Sequence, residues 1–411
     1  MRSLRLFASL LAAAALLPAA SLVKANKPED VGLSGPRLDR IRVMLDRYIQ
    51  RGEIAGAVSL VARKGRVAHL HAQGLADIAS QKPMREDTIF RIASMTKPIA
   101  SVALMMLYEE GHFQLTDPVA RFVPEFKDMK VAVENVPLGM KLIPAGRPIT
   151  IQHILTHTAG LPNTYAGITR PLYEQWARER RPDETVGEAM KRLAKLPLNF
   201  QPGDSWEYGP ATDLVGYLVE VISGMPLDRY LAEKIFQPLG MKDTYFYQPD
   251  ANLARMATVY QPKSGGGIQP VTLPASTAKK YFSGAGGLSS TIEDYARFCQ
   301  MLVNGGQLDG RRILSRKTIE LMTTNHIGDL KLWESLPGDG FGLGFSVKKS
   351  LGESRQLGSV GTYGWGGAFG TIFFIDPKEE LFGILMIQLR PYNHVNVRQD
   401  FRTVVFQSIV D

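Results

Sequence analysis

The chain of 411 residues contains a single cysteine, Cys299. No internal disulfide can form, so stability has to come from a buried core. Cys299 lies in residues 293–306, at helical spacing from other apolar residues, and reads as a buried structural thiol rather than a nucleophile. Basic and acidic residues are interspersed and no basic stripe occurs, which removes the electrostatic footprint that nucleic-acid binding requires. There is no phosphate-cradling Gly-x-x-x-x-Gly-Lys-Ser/Thr loop, so nucleotide chemistry has no support. The Gly-x-Ser-x-Gly elbow is also missing. Gly358-Ser359-Val360-Gly361 comes nearest, with Leu357 where the first glycine would stand, and a Ser-His-Asp triad is therefore disfavoured. His153 and His157 are four apart but lack the glutamate of a His-Glu-x-x-His site, and His69 and His71 form only an isolated pair. Metal and cofactor chemistry are set aside. No repeat or low-complexity tract appears, and residues 264–267 are a short loop.

Beyond the N-terminus no run is apolar enough to cross a bilayer. The N-terminus itself has a basic start (MRSLR), an apolar stretch interrupted by Pro18, and small residues at Val23-Lys24-Ala25. This pattern predicts a secretory signal over residues 1–25, cleaved after Ala25. It implies a periplasmic or secreted protein with no stable membrane insertion after cleavage. Loss of Arg2, Arg5 and Lys24, with no acid, lowers the formal charge from +8 to +5.

What is present is a composition with 45% apolar and 21% charged residues, typical of a packed globular chain. Residues 36–52 have helical period. Two β-rich runs follow, joined at Arg63-Lys64-Gly65 as a hairpin. From about 111 to 285 the strand signal fades and helical segments alternate with proline and glycine loops. After residue 287 two helices precede strands at 340–349, 367–376 and 381–389. Asp376-Pro377-Lys378-Glu379 links the last two as a tight hairpin, and a helix closes the chain. The pattern predicts an α+β fold: one antiparallel sheet flanked by helices and built from both chain ends (residues 26–110 and 286–411), with a mainly helical domain over 111–285.

Chemistry concentrates at ASMTK, residues 93–97, at the head of a long apolar helix. Residues three apart share a helix face, so the Lys97 amine can reach the Ser94 hydroxyl. Ser94 also falls at the helix start, where free N–H groups and the positive dipole end favour an oxyanion. A lysine base must surrender its proton, and burial or a second partner has to add to the ~0.3–1 kcal/mol that a dipole supplies. Three other Ser-x-x-Lys pairs lack the geometry: Ser21–Lys24 leaves with the signal, Ser276–Lys279 is in a loop, and Ser346–Lys349 lies in a strand, where the side chains oppose each other. Two further stretches support the Ser94 pair. Residues 201–210 place Tyr208 just before a helix, where a phenol can bridge serine and lysine and hand a proton to a leaving group. Residues 361–370 are glycine-rich and lead into a strand, and they leave a backbone N–H open to a substrate.

Taken together, Ser94-Met95-Thr96-Lys97, His157-Thr158-Ala159-Gly160-Leu161, Tyr208 and Trp365-Gly366-Gly367 resemble, in this order, the motifs of the serine β-lactamase and penicillin-binding-protein superfamily. Within it they resemble the family VIII carboxylesterases, which are similar to class C β-lactamases. The resemblance covers nearly the whole chain after the signal and implies the β-lactamase-like fold. It implies Ser94 as nucleophile, Lys97 and Tyr208 as the proton-handling pair, and the backbone N–H groups of Ser94 and Ala368 as oxyanion hole. Trp365, Gly366 and Gly367 are then substrate-binding residues, and residues 161–185 are candidates for an acyl-pocket wall. His157 orders the backbone near the site. Two departures matter. Tyr208-Gly209-Pro210 replaces Tyr-x-Asn, and Trp365 replaces the lysine of Lys-Thr-Gly. An uncharged ester needs neither the amide nor the cation, so the expectation is a carboxylesterase acting on short acyl esters. Weak hydrolysis of β-lactams such as cephalosporins is expected as a side activity. β-Lactamase, D-alanyl-D-alanine peptidase and acyltransferase are the alternatives, and the intact Ser94, Lys97 and Tyr208 argue against a non-catalytic binding protein, such as a peptidoglycan sensor, on this scaffold.

Overall fold

The computed structural model describes residues 22–136, 139–162, 167–273 and 278–411. Residues 1–21 of the expected signal, Ser276, and Asn163, Thr164 and Tyr165 of the expected pocket wall lie outside the described residues.

Apolar runs near both chain ends form one antiparallel sheet of eight strands. In chain order these are β1 (Gly56–Arg63), β2 (Arg66–Asp77), β3 (Lys82–Pro83), β4 (Asp339–Phe341), β5 (Ser346–Lys348), β6 (Tyr363–Gly366), β7 (Ile372–Asp376) and β8 (Leu381–Met386). The order across the sheet is β4-β5-β6-β7-β8-β1-β2-β3. The two chain ends therefore meet in its middle, with Val58 opposite Met386 and Arg63 opposite Leu381. Lys64 and Gly65 turn β1 into β2 with φ of 51° and 73°, the positive values that a two-residue hairpin turn requires. The 376–379 hairpin forms as expected, and the Asp376 carboxylate accepts the N–H groups of Lys378 (3.1 Å) and Glu379 (3.4 Å).

Every residue of β1 is buried, because helices cover both faces of the sheet. Helices α1 (Arg40–Gln50) and α5 (Val397–Phe406) bring Ile41, Met44, Leu45, Phe401 and Val405 against Ala57, Val61, Phe374 and Leu385. Helices α2 (Thr96–Glu109) and α4 (Ile292–Val303) share the opposite core with Val58, Leu60, Phe373 and Ile384. Helix α3 (Ala211–Ser223) packs on α2. α2 is apolar nearly all round and buried along most of its length, as a central helix must be. Cys299 is a fully buried free thiol in α4. No helix among the described residues is long and apolar enough to cross a membrane.

Several local expectations are corrected. The strand expected over 340–349 is two strands, β4 and β5, folded back at Gly344 (φ 97°), with the Gly342 N–H donating to the Phe345 carbonyl at 2.8 Å. The strand expected over 367–376 begins only at Ile372. Residues 367–370 are a turn, and the preceding segment, including Trp365, is a strand of its own. Between 111 and 285 two hairpins went unread: Lys130–Val136 with Gly139–Pro144, and Tyr260–Pro262 with Ile268–Pro270. Their strands are too short, or too interrupted by charge and proline, for a period-2 signal to emerge. The second hairpin is closed by residues 264–267. The helix Arg170–Arg178 was also unread. The histidine pair His153 and His157 does not share a helix: the helix is Ile151–Leu155, and His157 follows it in a left-handed conformation (φ 58°).

Candidate active site

Ser94 sits in a short 3-10 turn, Ala93–Met95, one step before α2, and not in the first α-turn. Ala93 carries φ 43°, an unfavourable value for a residue with a Cβ, and so presents Ser94 on a strained corner. Ser94 is half-buried. Lys97 is one residue into α2, and its side chain runs back toward the helix N-terminus, as helical side chains do. Only 4% of Lys97 is exposed. Its Nζ lies 3.3 Å from Ser94 Oγ and donates to the Ala285 carbonyl at 2.7 Å. The amine is thus anchored by a backbone carbonyl that no motif predicted.

That carbonyl is held by Asp213 in α3. One carboxylate oxygen accepts the Ala285 N–H (2.9 Å) and the Ser283 hydroxyl (2.7 Å), and the other accepts the Tyr281 hydroxyl (3.1 Å). Burial, reinforced by the Asp213 charge, pushes the Tyr281 phenol well above its usual range, so it remains a donor. Asp213 was missed in the sequence. The only signal it left was an acid in the first turn of an apolar helix five residues after Tyr208.

Tyr208 reaches the site, but not as the sequence suggested. Its ring lies beneath the Lys97 amine, 4.5 Å from Nζ to the centroid, and its hydroxyl accepts the Trp365 indole N–H at 3.4 Å. The expected phenol bridge between serine and lysine is replaced by a face-on amine contact. Gly209 packs so tightly that a Cβ would overlap the Leu161 carbonyl oxygen, which fixes the corner before α3.

Around Tyr208 stands a set of aromatic rings. Trp365 is 5.5 Å from it by centroid, Trp333 4.9 Å and His157 4.8 Å. Trp206 and Phe341 close the set behind. Trp333, stacked on Trp365 at 5.9 Å and 42% exposed, faces solvent at the rim. It lies in a polar loop without periodicity, so sequence reading passed over it. His157 is fully buried, and burial, then the Lys97 charge, holds its imidazole well below its ordinary range; it stays neutral. Among the described residues its Nδ1 has no hydrogen-bond partner.

Trp365 and Gly366 end β6, and Gly367 opens the turn that follows. A Cβ on Gly367 would overlap the Ile92 carbonyl and the Thr371 hydroxyl, so the turn abuts the backbone that leads into Ser94. The Gly367 N–H donates to the Thr371 carbonyl at 2.8 Å, and the Gly370 N–H donates to the Gly367 carbonyl at 3.1 Å. Among the described residues no backbone carbonyl takes the N–H of Ser94 or of Ala368. Ala368 is exposed. The arrangement combines a half-open hydroxyl, an adjacent buried amine, a phenol and free backbone donors, a set suited to acyl transfer through serine. Among the described residues no cluster of three or more His, Cys, Asp or Glu side chains is placed to hold a metal. His69 is instead paired with Ser59 Oγ through Nε2 at 2.8 Å, and His153 Nδ1 accepts the Thr150 N–H at 3.2 Å.

Comparison with known proteins finds similarity along most of the chain. The family model described as Beta-lactamase matches residues 41–405. An uncharacterized protein of Mycobacterium tuberculosis is 35% identical over 370 residues, covering 86% of this chain and 90% of that protein. Esterase EstB of Burkholderia gladioli is 31% identical over 382 residues, covering 88% and 92%. Among solved structures, EstCE1, described as a hydrolase with promiscuous acyltransferase activity, superposes with a TM-score of 0.77 at 27% identity, covering 90% of this chain and 99% of that one.

Proposed function

The chain belongs to the beta-lactamase family, and on that premise we propose that it is a carboxylesterase cleaving small acyl esters through an acyl-serine. The observation that carries this reading is the Lys97 amine, 3.3 Å from Ser94 Oγ and anchored by the Ala285 carbonyl. In the proposed cycle Lys97 takes the Ser94 proton as Oγ attacks the ester carbonyl, and the N–H groups of Ser94 and Ala368 hold the resulting oxyanion. The intermediate collapses, the bond to the alcohol oxygen breaks, and Tyr208 protonates that oxygen; its resupply from Lys97 requires the phenol to turn from its Trp365 contact so that its hydroxyl meets the amine. Water then attacks the acyl-serine and gives a proton to the Lys97–Tyr208 pair. The carboxylic acid leaves and Ser94 regains its proton.

The aromatic enclosure favours an uncharged ester over a β-lactam. Where a lysine would pair with a drug carboxylate, the indole of Trp365 lies against Tyr208, and Trp333 extends the apolar wall. The similarity to EstB supports the ester class. Capture of the acyl group by an alcohol instead of water is a second reading, supported by the likeness to EstCE1.

The test is side-by-side hydrolysis of a chromogenic butyrate ester and a chromogenic cephalosporin by wild type and Ser94→Ala. The expected result is rapid ester turnover with slow or no lactam turnover, both abolished in the variant. Fast lactam turnover would move the chain to the β-lactamase reading, and full ester turnover in Ser94→Ala would sink the assignment. Adding a primary alcohol and measuring the transesterified product tests the acyltransferase reading.

Export with cleavage after Ala25 is part of the proposal. In the full chain Val67 donates its N–H to the Val23 carbonyl (2.8 Å) and accepts the Ala25 N–H (2.9 Å). N-terminal sequencing of the mature protein is expected to begin at Asn26, without this pairing.

A further inference from the structure

The turn that carries the Ala368 N–H is held from behind by a side chain that no motif indicated. Arg398, in the first turn of α5, donates Nη2 to the carbonyls of Gly367 and Thr371, the latter at 2.7 Å. Its Nε donates to the Gly370 carbonyl at 3.2 Å. Nη1 donates to the Tyr392 hydroxyl, and the Tyr392 ring lies 3.7 Å from the guanidinium carbon. A Cβ on Gly366 would stand 2.9 Å from Nη1, so any side chain there would press on the guanidinium.

Two features exceed what a clip for a turn requires. Arg398 is half-buried and its guanidinium is largely withdrawn from water, which disfavours its charge, yet among the described residues no carboxylate pairs with it. A buried cation without a counter-ion is costly, and a neutral donor would tie a turn without that cost. The identity of the bonded carbonyl also matters. Gly367 C=O and Ala368 N–H are the two ends of one planar peptide group. A charge-assisted bond to the oxygen draws electron density through the amide and leaves the N–H a stronger donor.

We propose that Arg398 is a positioning residue for the oxyanion hole: it fixes the 367–370 turn and polarises the Gly367–Ala368 peptide, so that the Ala368 N–H binds a developing oxyanion more strongly than a ground-state ester carbonyl. The proposal rests on the esterase reading of Ser94 and Ala368. It explains why a side chain near the C-terminus is committed to a turn beside the nucleophile. The gain falls on the transition state, because negative charge builds on the oxygen there and is absent from the ground-state carbonyl.

The test compares wild type, Arg398→Lys and Arg398→Ala, each normalised to active sites by titration with a fluorophosphonate. Turnover of the butyrate ester is read alongside the affinity of an alkylboronic acid, whose tetrahedral serine adduct places an oxygen in the hole. Removing one oxyanion donor outright costs about 10²–10³-fold in turnover. Weakening one is expected to lower kcat by about 10–100-fold with KM changed less than about threefold. Boronate affinity should fall in parallel, and added guanidinium ion should restore part of the loss in Arg398→Ala. Should the alanine variant fail to fold, Arg398→Lys, which can reach fewer of the three carbonyls, carries the test. An unchanged kcat per active site, or a lower kcat with unchanged boronate affinity, overturns the proposal. Failure of the underlying reading appears separately, as ester turnover that survives in Ser94→Ala.

Discussion

Among the described residues two lysines are buried, each bonded to a serine hydroxyl and a backbone carbonyl. Lys97 contacts Ser94 Oγ at 3.3 Å and the Ala285 carbonyl at 2.7 Å. Lys348 contacts Ser354 Oγ at 2.8 Å and the Gln356 carbonyl at 3.3 Å. By amine geometry alone the second pair is the better one. Everything around it differs. Ser354 is buried, donates its own proton to the Leu351 carbonyl, and faces neither a tyrosine ring nor a free N–H turn. Lys348 lies among Arg402, Asp339 and Asp376, where burial, then the Arg402 charge, pulls it from its ordinary 10.5 to about 8. A serine–lysine contact is therefore not a catalytic site by itself. What separates the two in the structure is the half-open Ser94 hydroxyl, the Tyr208 ring beneath the amine and the free N–H groups nearby, and these are properties of the surroundings.

The largest effect should come from exchanging the two lysines' roles in one assay. Lys97→Met is expected to lower ester turnover by about 10²–10⁴-fold, the range of a lost general base, while Lys348→Met keeps it within about twofold. Equal losses in both would erase the contrast between the pairs.

A smaller effect should follow from loosening the carbonyl that anchors Lys97. Asp213→Asn keeps the size of the side chain but removes one acceptor from a group that holds Ala285, Ser283 and Tyr281. Turnover is expected to fall by about 10–100-fold with little change in KM, since the error is one of placement at the reacting centre. Wild-type kcat in this variant would mean that the Ala285 carbonyl does not set the amine's position.

The smallest effect on activity, and the clearest on stability, belongs to Lys348. Its folded value near 8 lies below its unfolded 10.5, so between those pH values the unfolded chain holds a proton that the folded chain does not. Stability therefore rises with pH across that window, by about 3 kcal/mol for this group at most, and the cost of burying the charge is complete below pH 8. Denaturant unfolding of wild type minus Lys348→Met should show this rise between pH 8 and 10.5. A flat difference would mean that Lys348 is charged and compensated in the fold.

Much of the frame was legible before the structure. The hairpin at Lys64-Gly65, the 376–379 turn and the pairing of the two chain ends followed from β-rich apolar runs and turn residues, signals that survive in one dimension. Short elements did not: β6, β4 and the hairpin at 130–144 are set by what packs on them. At the site, Ser94 and Lys97 were visible because their contact is local to one turn. Tyr208 and Trp365 were visible through their motifs, though the manner in which the phenol meets the amine was not. Asp213, Trp333 and Arg398 were missed because each acts across a long sequence separation and belongs to no local pattern.

The sequence by itself determined which residues can do chemistry and which segments alternate, because hydroxyl, amine and apolar spacing are intrinsic to the chain. Tertiary structure alone decided which serine–lysine contact is open, which carbonyl anchors the amine, and which cation stands behind the Ala368 peptide. Those depend on the sheet joining residues from both chain ends, so that a helix near residue 398 and a turn near residue 94 meet at one point in space.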